Sequence, residues 1–308
     1  MDFVGGAFCI PLTTRFRGLE YREGLVLKGP RGWGEFSPFP DYPPHLAARW
    51  WNATREAMFD PWPAPLRTRI PVNVTVPWMP PEDAHALVAR SGCMTAKVKV
   101  GRDDDPARVE AVRDALGPHG RLRIDVNGAW DVGMATRKIR ELDRFDLEYV
   151  EQPVATLEEM AELRLLIDVP LAVDESIRTA ENPLHLGYRD AADIVVLKAA
   201  PLGGVRAALA VAEAAGTPAV VSSALETSVG MAAGIALAAA LPELPYACGL
   251  ATVGLLEGDV TDEPLLPVDG FMDVRRPQVS DVALARFEPD DSNGLWERLR
   301  ASSVGAVR

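Results

Sequence analysis

The sequence has no apolar run long enough to cross a bilayer; the longest, residues 229–241, is rich in Ala and Gly and reads as a buried helix. Cysteine is scarce. Cys9, Cys93 and Cys248 are widely spaced with no C-x-x-C pair, which excludes a disulfide framework and a zinc knuckle and leads us to expect a reducing, cytoplasmic setting. Positive charge is also short: Lys plus Arg is 32 against 44 Asp plus Glu, for a net charge of −12. Such a chain gains little from counterion release or from an anionic lipid surface, so no nucleic-acid or membrane partner is expected and small molecules remain. The start of the chain has no basic segment ahead of its short apolar stretch, and Pro11 interrupts it, so no signal peptide is expected. The four histidines, His45, His85, His119 and His185, have no partners at metal-ligand spacing and are expected on the surface.

With 48% apolar and 25% charged residues over 308 positions, the composition is that of a folded globular chain, either two domains or one large barrel with an appendage. From about residue 71 to residue 256, short β-branched runs alternate with helical stretches, the pattern of repeated βα units around a parallel sheet. Eight strands are predicted, at residues 71–77, 95–101, 122–128, 147–153, 171–176, 193–199, 219–223 and, more weakly, 246–250. Eight strands with intervening helices favour a closed barrel. Outside it, residues 19–27 and 33–37 flank a G-P-R-G turn, residues 44–59 predict a helix, and the tail carries a strand-like stretch at 264–274 and a helix near 294–300. The simplest packing joins both ends into one capping domain. The expected division is therefore 1–70 for the first part of the cap, 71–256 for the catalytic barrel and 257–308 for a segment returning to the cap. Trp50 and Trp51 are expected to pack between the two, and Gly203-Gly204 to form a tight turn rather than a phosphate site.

Polar residues recur near the strand ends at intervals of 23 to 26 residues: Lys99, Asp125, Glu151, Asp174, Lys198 and Ser222. A barrel interior normally takes Val, Ile and Leu, and active sites of βα barrels lie at the C-terminal strand ends. The period of two along a strand puts Lys97 and Lys99 on one face and Val98 and Val100 on the other; the valines suit the helix interface, so the lysines point inward. The same parity aligns Arg123, Asp125 and Asn127. Three neighbouring carboxylates, Asp125, Glu151 and Asp174, repel one another unless a cation sits among them, and an all-oxygen set favours Mg²⁺, with Mn²⁺ able to substitute. Lys99 and Lys198 then flank whatever the ion holds. Lys97 and the ion would lower the pKa of Lys99 toward a working base, and a metal with further cations could stabilise the enediolate left when a proton α to a carboxylate is removed.

These residues, as K-V-K at 97–99, D-V-N at 125–127, E-Q-P at 151–153, D-E-S at 174–176 and Lys198 before A-A-P-L-G-G, resemble the enolase superfamily in its muconate lactonizing enzyme subgroup. R-I-D-V-N, S-S-A-L-E-T-S-V-G at 222–230, P-L-T-T-R-F-R-G and G-W-G-E-F-S-P-F-P narrow the resemblance to the o-succinylbenzoate synthase family in its shorter actinobacterial form. The resemblance implies an α/β fold, a modified (β/α)7β TIM-like barrel with an α+β capping domain built from both chain ends. It implies a monomeric lyase that dehydrates 2-succinyl-6-hydroxy-2,4-cyclohexadiene-1-carboxylate, a small carboxylate, to 2-succinylbenzoate in menaquinone biosynthesis. Asp125, Glu151 and Asp174 would bind Mg²⁺. Lys99 would act as base and then acid, Lys198 would stabilise the enediolate, Lys97 would hold the carboxylate, and Arg123 would support the metal and lysine cluster. Ser222, Ser223, Gly249 and Asn127 would contact the substrate, with the free N–H groups of a helix starting near Glu226 or Thr227 receiving the succinyl carboxylate. A mobile loop at residues 13–18 would cover the site, with residues 36–40 nearby. Ala251 stands where relatives often carry Asp. Arg123 reads equally well as a structural ion pair, and Ser222 and Ser223 as helix caps. Racemisation of N-succinylamino acids or dipeptide epimerisation is the alternative reaction, and an inactive ligand-binding barrel the alternative of another class.

Overall fold

In the computed structural model, which describes residues 4–102, 104–185 and 187–305, the chain opens with an antiparallel sheet of β1 (Gly5–Phe16), β2 (Leu19–Gly29) and β3 (Gly32–Phe36). Residues 13–16, expected as loop, continue β1. The loop shrinks to Arg17 and Gly18, whose φ of 52° and 77° form the left-handed two-residue turn that suits strand twist, and the strand slips register between Pro11 and Phe16. Helix α1 (Pro44–Phe59) then lies on the sheet and buries Trp50 and Trp51.

After the short β4 (Arg69–Pro71), seven parallel strands follow: β5 (Val74–Val76), β6 (Thr95–Lys99), β7 (Arg121–Asp125), β8 (Leu147–Glu151), β9 (Leu171–Val173), β10 (Ile194–Leu197) and β11 (Ala219–Val221). Each pairs with the next in sequence order. The helices between them are α2 (Pro81–Ser91), α3 (Asp105–Leu116), α4 (Val132–Leu142), α5 (Leu157–Arg164), α6 (Glu175–Arg178), α7 (Tyr188–Ala191), α8 (Ala199–Leu202) and α9 (Val205–Ala215), and α10 (Ser228–Ala240) follows β11. The weak eighth strand is reduced to two parallel bridges, Ser222 with Gly249 and Val72 with Cys248, which join the two edges of the sheet. A Cβ on residue 249 would meet Ser222 Oγ at 2.7 Å and Ser222 Cβ at 3.3 Å, so a larger residue there would displace the Ser222 side chain.

The predicted alternation is met. Val98, Val100, Ile124 and Val126 belong to the large core between sheet and helices, each such burial contributing about 1.5–3 kcal/mol. Tyr149, Ala172, Ile194, Val196 and Val220 form a small separate cluster. A third cluster joins Phe8, Ile10, Leu25, Phe36 and Trp50 of the first 60 residues to Ala200, Ala224, Leu225 and Val229 above the strand ends.

The tail runs through β12 (Phe271–Asp273), which pairs with β4, then α11 (Asp281–Ala285) and α12 (Asn293–Gly305). Arg298 of α12 donates to the carbonyls of Pro38, Phe39 and Tyr42 at 3.0, 2.5 and 3.0 Å. Among the described residues no helix is long and apolar enough to cross a membrane.

Candidate active site

Parallel register places Lys99 beside Asp125 and Asp125 beside Glu151, so one row at the C-terminal ends of β6, β7 and β8 carries an ammonium and two carboxylates. Lys97, Arg123 and Tyr149 make the row beneath it. Asp174 and Lys198 follow directly after β9 and β10. The E-Q-P segment explains how Asp174 is placed. Gln152, at φ 38°, accepts from the Asp174 amide at 3.0 Å and donates to Ser176 Oγ and the Val154 carbonyl, both at 2.9 Å, pinning the end of one strand to the start of the next loop.

Lys97 Nζ donates to both oxygens of Glu151 at 2.7 and 2.8 Å and lies 3.1 Å from Asp125 Oδ2. Lys99 Nζ donates to Asp125 Oδ2 at 2.6 Å and Asn127 Oδ1 at 2.7 Å, and Lys198 Nζ to Asp174 Oδ2 at 2.6 Å. Two residues missed in the sequence complete the cluster. Arg178 Nε reaches Asp174 Oδ1 at 3.2 Å and its Nη2 pairs with Glu175 Oε1, which also accepts from Asn127 Nδ2 at 3.0 Å. The signal for both was local: an acid directly after Asp174 and an arginine three residues beyond it.

Burial opposes the charge of Lys97, but Asp125 and Glu151 outweigh it and hold its pKa well above the ordinary lysine value. Asp125 is also buried, yet Lys97 and Lys99 hold it well below the usual carboxylate range. Glu151 is pushed up to about 7 by burial and by Asp125 and Asp174, and Glu175 up to about 8 by burial and by Asp174 and Asp125. Four acids thus share a small volume and two of them resist ionisation.

Among the described residues no three His, Cys, Asp or Glu side chains are gathered as a ready metal cage, because each expected ligand is bonded to a lysine. The donor chemistry nonetheless fits a hard divalent cation. Asp125, Glu151 and Asp174 are each 1% exposed and offer only oxygen, and Glu175 Oε2 beside them is buried without a hydrogen-bond partner.

Above the acids a cavity is lined by Lys97, Lys99, Asn127, Arg178, Lys198 and Ser222 from the barrel and by Phe16, Arg17 and Phe39 from the first 60 residues. Phe16 has its ring centroid 5.4 Å from Lys99 Nζ. Arg17 lies over Phe39 at 4.0 Å and pairs with Asp41 at 3.2 Å. Ser223 Oγ bonds Thr252 Oγ1 at 2.6 Å, and Ser222 Oγ lies 3.5 Å from the Gly249 carbonyl.

Two expectations are corrected. The first turn of α10 does not offer free N–H groups to a substrate. The Thr227 and Gly230 amides donate to Glu35 Oε2 at 3.1 and 3.0 Å, and the Ser228 amide to Asp259 Oδ1 at 3.2 Å. Arg123 does not reach the acid and lysine cluster. Its Nε donates to Glu148 Oε2 at 2.6 Å and its Nη1 to the Ala247 carbonyl at 2.6 Å and Asn73 Oδ1 at 3.2 Å, although Lys97 in the same row reaches Glu151. The ion-pair reading of Arg123 is the one observed. The histidines lie away from the site, with His85 paired to Asp114 and His185 to Asn182. Gly203-Gly204 is a turn, and the amides after it are occupied by Glu56 of α1.

Two family models cover this chain: the enolase C-terminal domain-like family at residues 81–278 and the enolase N-terminal domain-like family at residues 7–58. The chain is 61% identical over 308 residues to the o-succinylbenzoate synthase of Thermobifida fusca, covering 98% of this chain and 96% of that one. It is 49% identical over 291 residues to the o-succinylbenzoate synthase of Mycolicibacterium smegmatis, covering 91% and 89%. Among solved structures, the fold matches a muconate lactonizing enzyme from Pseudomonas fluorescens complexed with muconolactone, with a TM-score of 0.81 at 22% identity over 94% of this chain and 98% of that one.

Proposed function

The chain belongs to the enolase superfamily, within its o-succinylbenzoate synthase family, and from that premise we propose that it dehydrates 2-succinyl-6-hydroxy-2,4-cyclohexadiene-1-carboxylate to 2-succinylbenzoate in menaquinone biosynthesis. The observation that carries the proposal is the placing of two ammonium groups, Lys99 and Lys198, at the two flanks of one row of carboxylates inside one cavity.

Asp125, Glu151 and Asp174 are the residues that would hold Mg²⁺. When bound, the ion supplies positive charge against which the substrate carboxylate can accept electron density. Lys99, as the free amine, takes the proton from the carbon α to the carboxylate. The electron pair moves into the carboxylate to give an enediolate, and the Lys198 ammonium faces that charge from the other flank. The Lys99 ammonium then delivers its proton to the departing ring hydroxyl, water leaves, and the ring becomes aromatic. One group serves both steps, so no second base is required. Lys97, fixed by Glu151, keeps a permanent positive charge beside the carboxylate site. Asn127 orients Lys99 and stands ready to contact the substrate, while Ser222 and Ser223 form the wall for the succinyl end, with Gly249 bridged to Ser222 and not itself lining the cavity.

On this reading it acts as a monomer on a small carboxylate, held in the cavity that the first 60 residues and the barrel line together. Cys9, Cys93 and Cys248 are free thiols, in keeping with a cytoplasmic enzyme. The test follows the loss of diene absorbance by purified protein with Mg²⁺. Turnover is expected, with kcat lowered about 10²–10⁴-fold in Lys99→Ala. Absence of turnover, or full turnover in that variant, overturns the reading. Amines on both flanks also favour a second reading, racemisation of N-succinylamino acids, which predicts deuterium incorporation at the α carbon of either enantiomer.

A further inference from the structure

Arg22 of β2 lies outside the catalytic cavity, is 1% exposed, and carries its charge deep in the cluster that joins the first 60 residues to the barrel. Its Nε donates to the Leu225 carbonyl at 3.1 Å, and its Nη2 to the Ala224 carbonyl at 3.5 Å and to the Ser37 carbonyl. Ala224 and Leu225 line the cavity together with Ser222 and Ser223. Leu225 has φ 62°, a left-handed conformation that a leucine adopts only when its surroundings impose it. The rest of the loop is bonded on all sides: the Ala224 amide to Glu226 Oε2 at 2.7 Å, the Leu225 amide to Ser223 Oγ at 3.4 Å, and the Thr227 amide to Glu35. Glu35 in turn accepts from Ser37 Oγ at 2.6 Å, so the same short stretch that receives Arg22 also holds the carboxylate that caps α10. Two of the four sequence segments that narrow the family resemblance, G-W-G-E-F-S-P-F-P and S-S-A-L-E-T-S-V-G, therefore meet face to face, with Arg22 as the third member of the contact.

We propose that Arg22 is a positioning residue for substrate specificity: by fixing two successive carbonyls it holds the strained Ala224–Leu225 turn and so sets the wall that receives the second carboxylate arm of a dicarboxylate substrate. The guanidinium touches no reacting atom. Its planar fork aligns two carbonyls at once, which an ammonium on a flexible stem does only in part. The identity of the substrate rests on the dehydratase reading; the control of the loop does not.

The test compares wild type, Arg22→Lys and Arg22→Met by amide hydrogen exchange without ligand, by steady-state kinetics with Mg²⁺, and by titration with 2-succinylbenzoate. Arg22→Met is expected to speed exchange at residues 222–230 selectively, to raise KM and the product Kd about tenfold or more, and to change kcat by less than about threefold, with Arg22→Lys intermediate. Unchanged exchange and KM overturn the proposal. So does faster exchange throughout residues 5–59 with kcat and KM unaltered, which marks a merely structural residue. If Arg22→Met does not fold, Arg22→Lys decides by the same readouts. A wild type without turnover removes the dehydratase reading alone, because exchange at 222–230 still decides the role of Arg22.

Discussion

Lys97 precedes Lys99 by only two residues, yet its ammonium is bonded to both oxygens of Glu151 and kept charged, whereas Lys99 opens toward the cavity beneath Phe16. Parity along a strand puts both on the inner face; height along the barrel separates the ammonium bonded to Glu151 from the one bonded to Asp125 and Asn127. Arg123 shares the lower row with Lys97 but makes its bonds elsewhere. It is stacked 4.6 Å from the Tyr149 ring and bonded to Ala247 and Asn73, so it braces the barrel where the eighth strand has only two bridges. Arg123→Met leaves Glu148 without its partner and is expected to lower stability by about 3 kcal/mol while sparing much of kcat in the folded fraction. Chemical denaturation combined with active-site titration separates this from a catalytic role, for which kcat would collapse at unchanged stability.

At the scale of elements, two consecutive barrel helices receive their N-terminal caps from the other part of the molecule: Glu56 of α1 meets the first amides of α9, and Glu35 of β3 those of α10. A carboxylate there interacts favourably with the helix dipole and satisfies amides that have no partner within the helix. Glu35 nevertheless sits where burial outweighs its hydrogen bonds from Ser37 and Thr227, and with Glu226 near and Arg22 opposing, its pKa is pushed up to about 7 from 4.5. An acid whose pKa is raised on folding stabilises most below its unfolded value and loses that contribution as the pH climbs through its folded value. Wild type is therefore expected to lose melting temperature relative to Glu35→Gln between about pH 5 and pH 8. Parallel Tm profiles for the two proteins would show that Glu35 does not titrate in this window.

Across the whole molecule, the proposed metal site among the strand ends would link ligand binding to stability. Free ligand at 100 times its Kd stabilises by about 2.7 kcal/mol, so Mg²⁺ with 2-succinylbenzoate is expected to raise Tm by several degrees, EDTA to reverse it, and Glu151→Gln to abolish it. A calorimetric scan that shows no response in wild type removes the metal from the reading. The cavity is closed above by Phe16, Arg17 and Phe39, so its lining comes from both the first 60 residues and the barrel and is complete only once the two have packed.

Periodicity and register are local properties, which is why the parallel strands, the inward lysines and the row of carboxylates could be read from the order of residues alone: alternation by two fixes the face, and near-equal spacing fixes the end of the barrel. What tertiary packing decided is which charges meet. Glu175 and Arg178 enter the site only through the short helix after β9, Arg123 pairs with Glu148 while Lys97 in the same row pairs with Glu151, and the amides of α10 are taken by Glu35 from 192 positions earlier in the chain. Such pairings depend on distances between segments far apart in sequence. Hydrophobic patterning constrains each segment's buried face but says nothing of which distant side chain will stand opposite it.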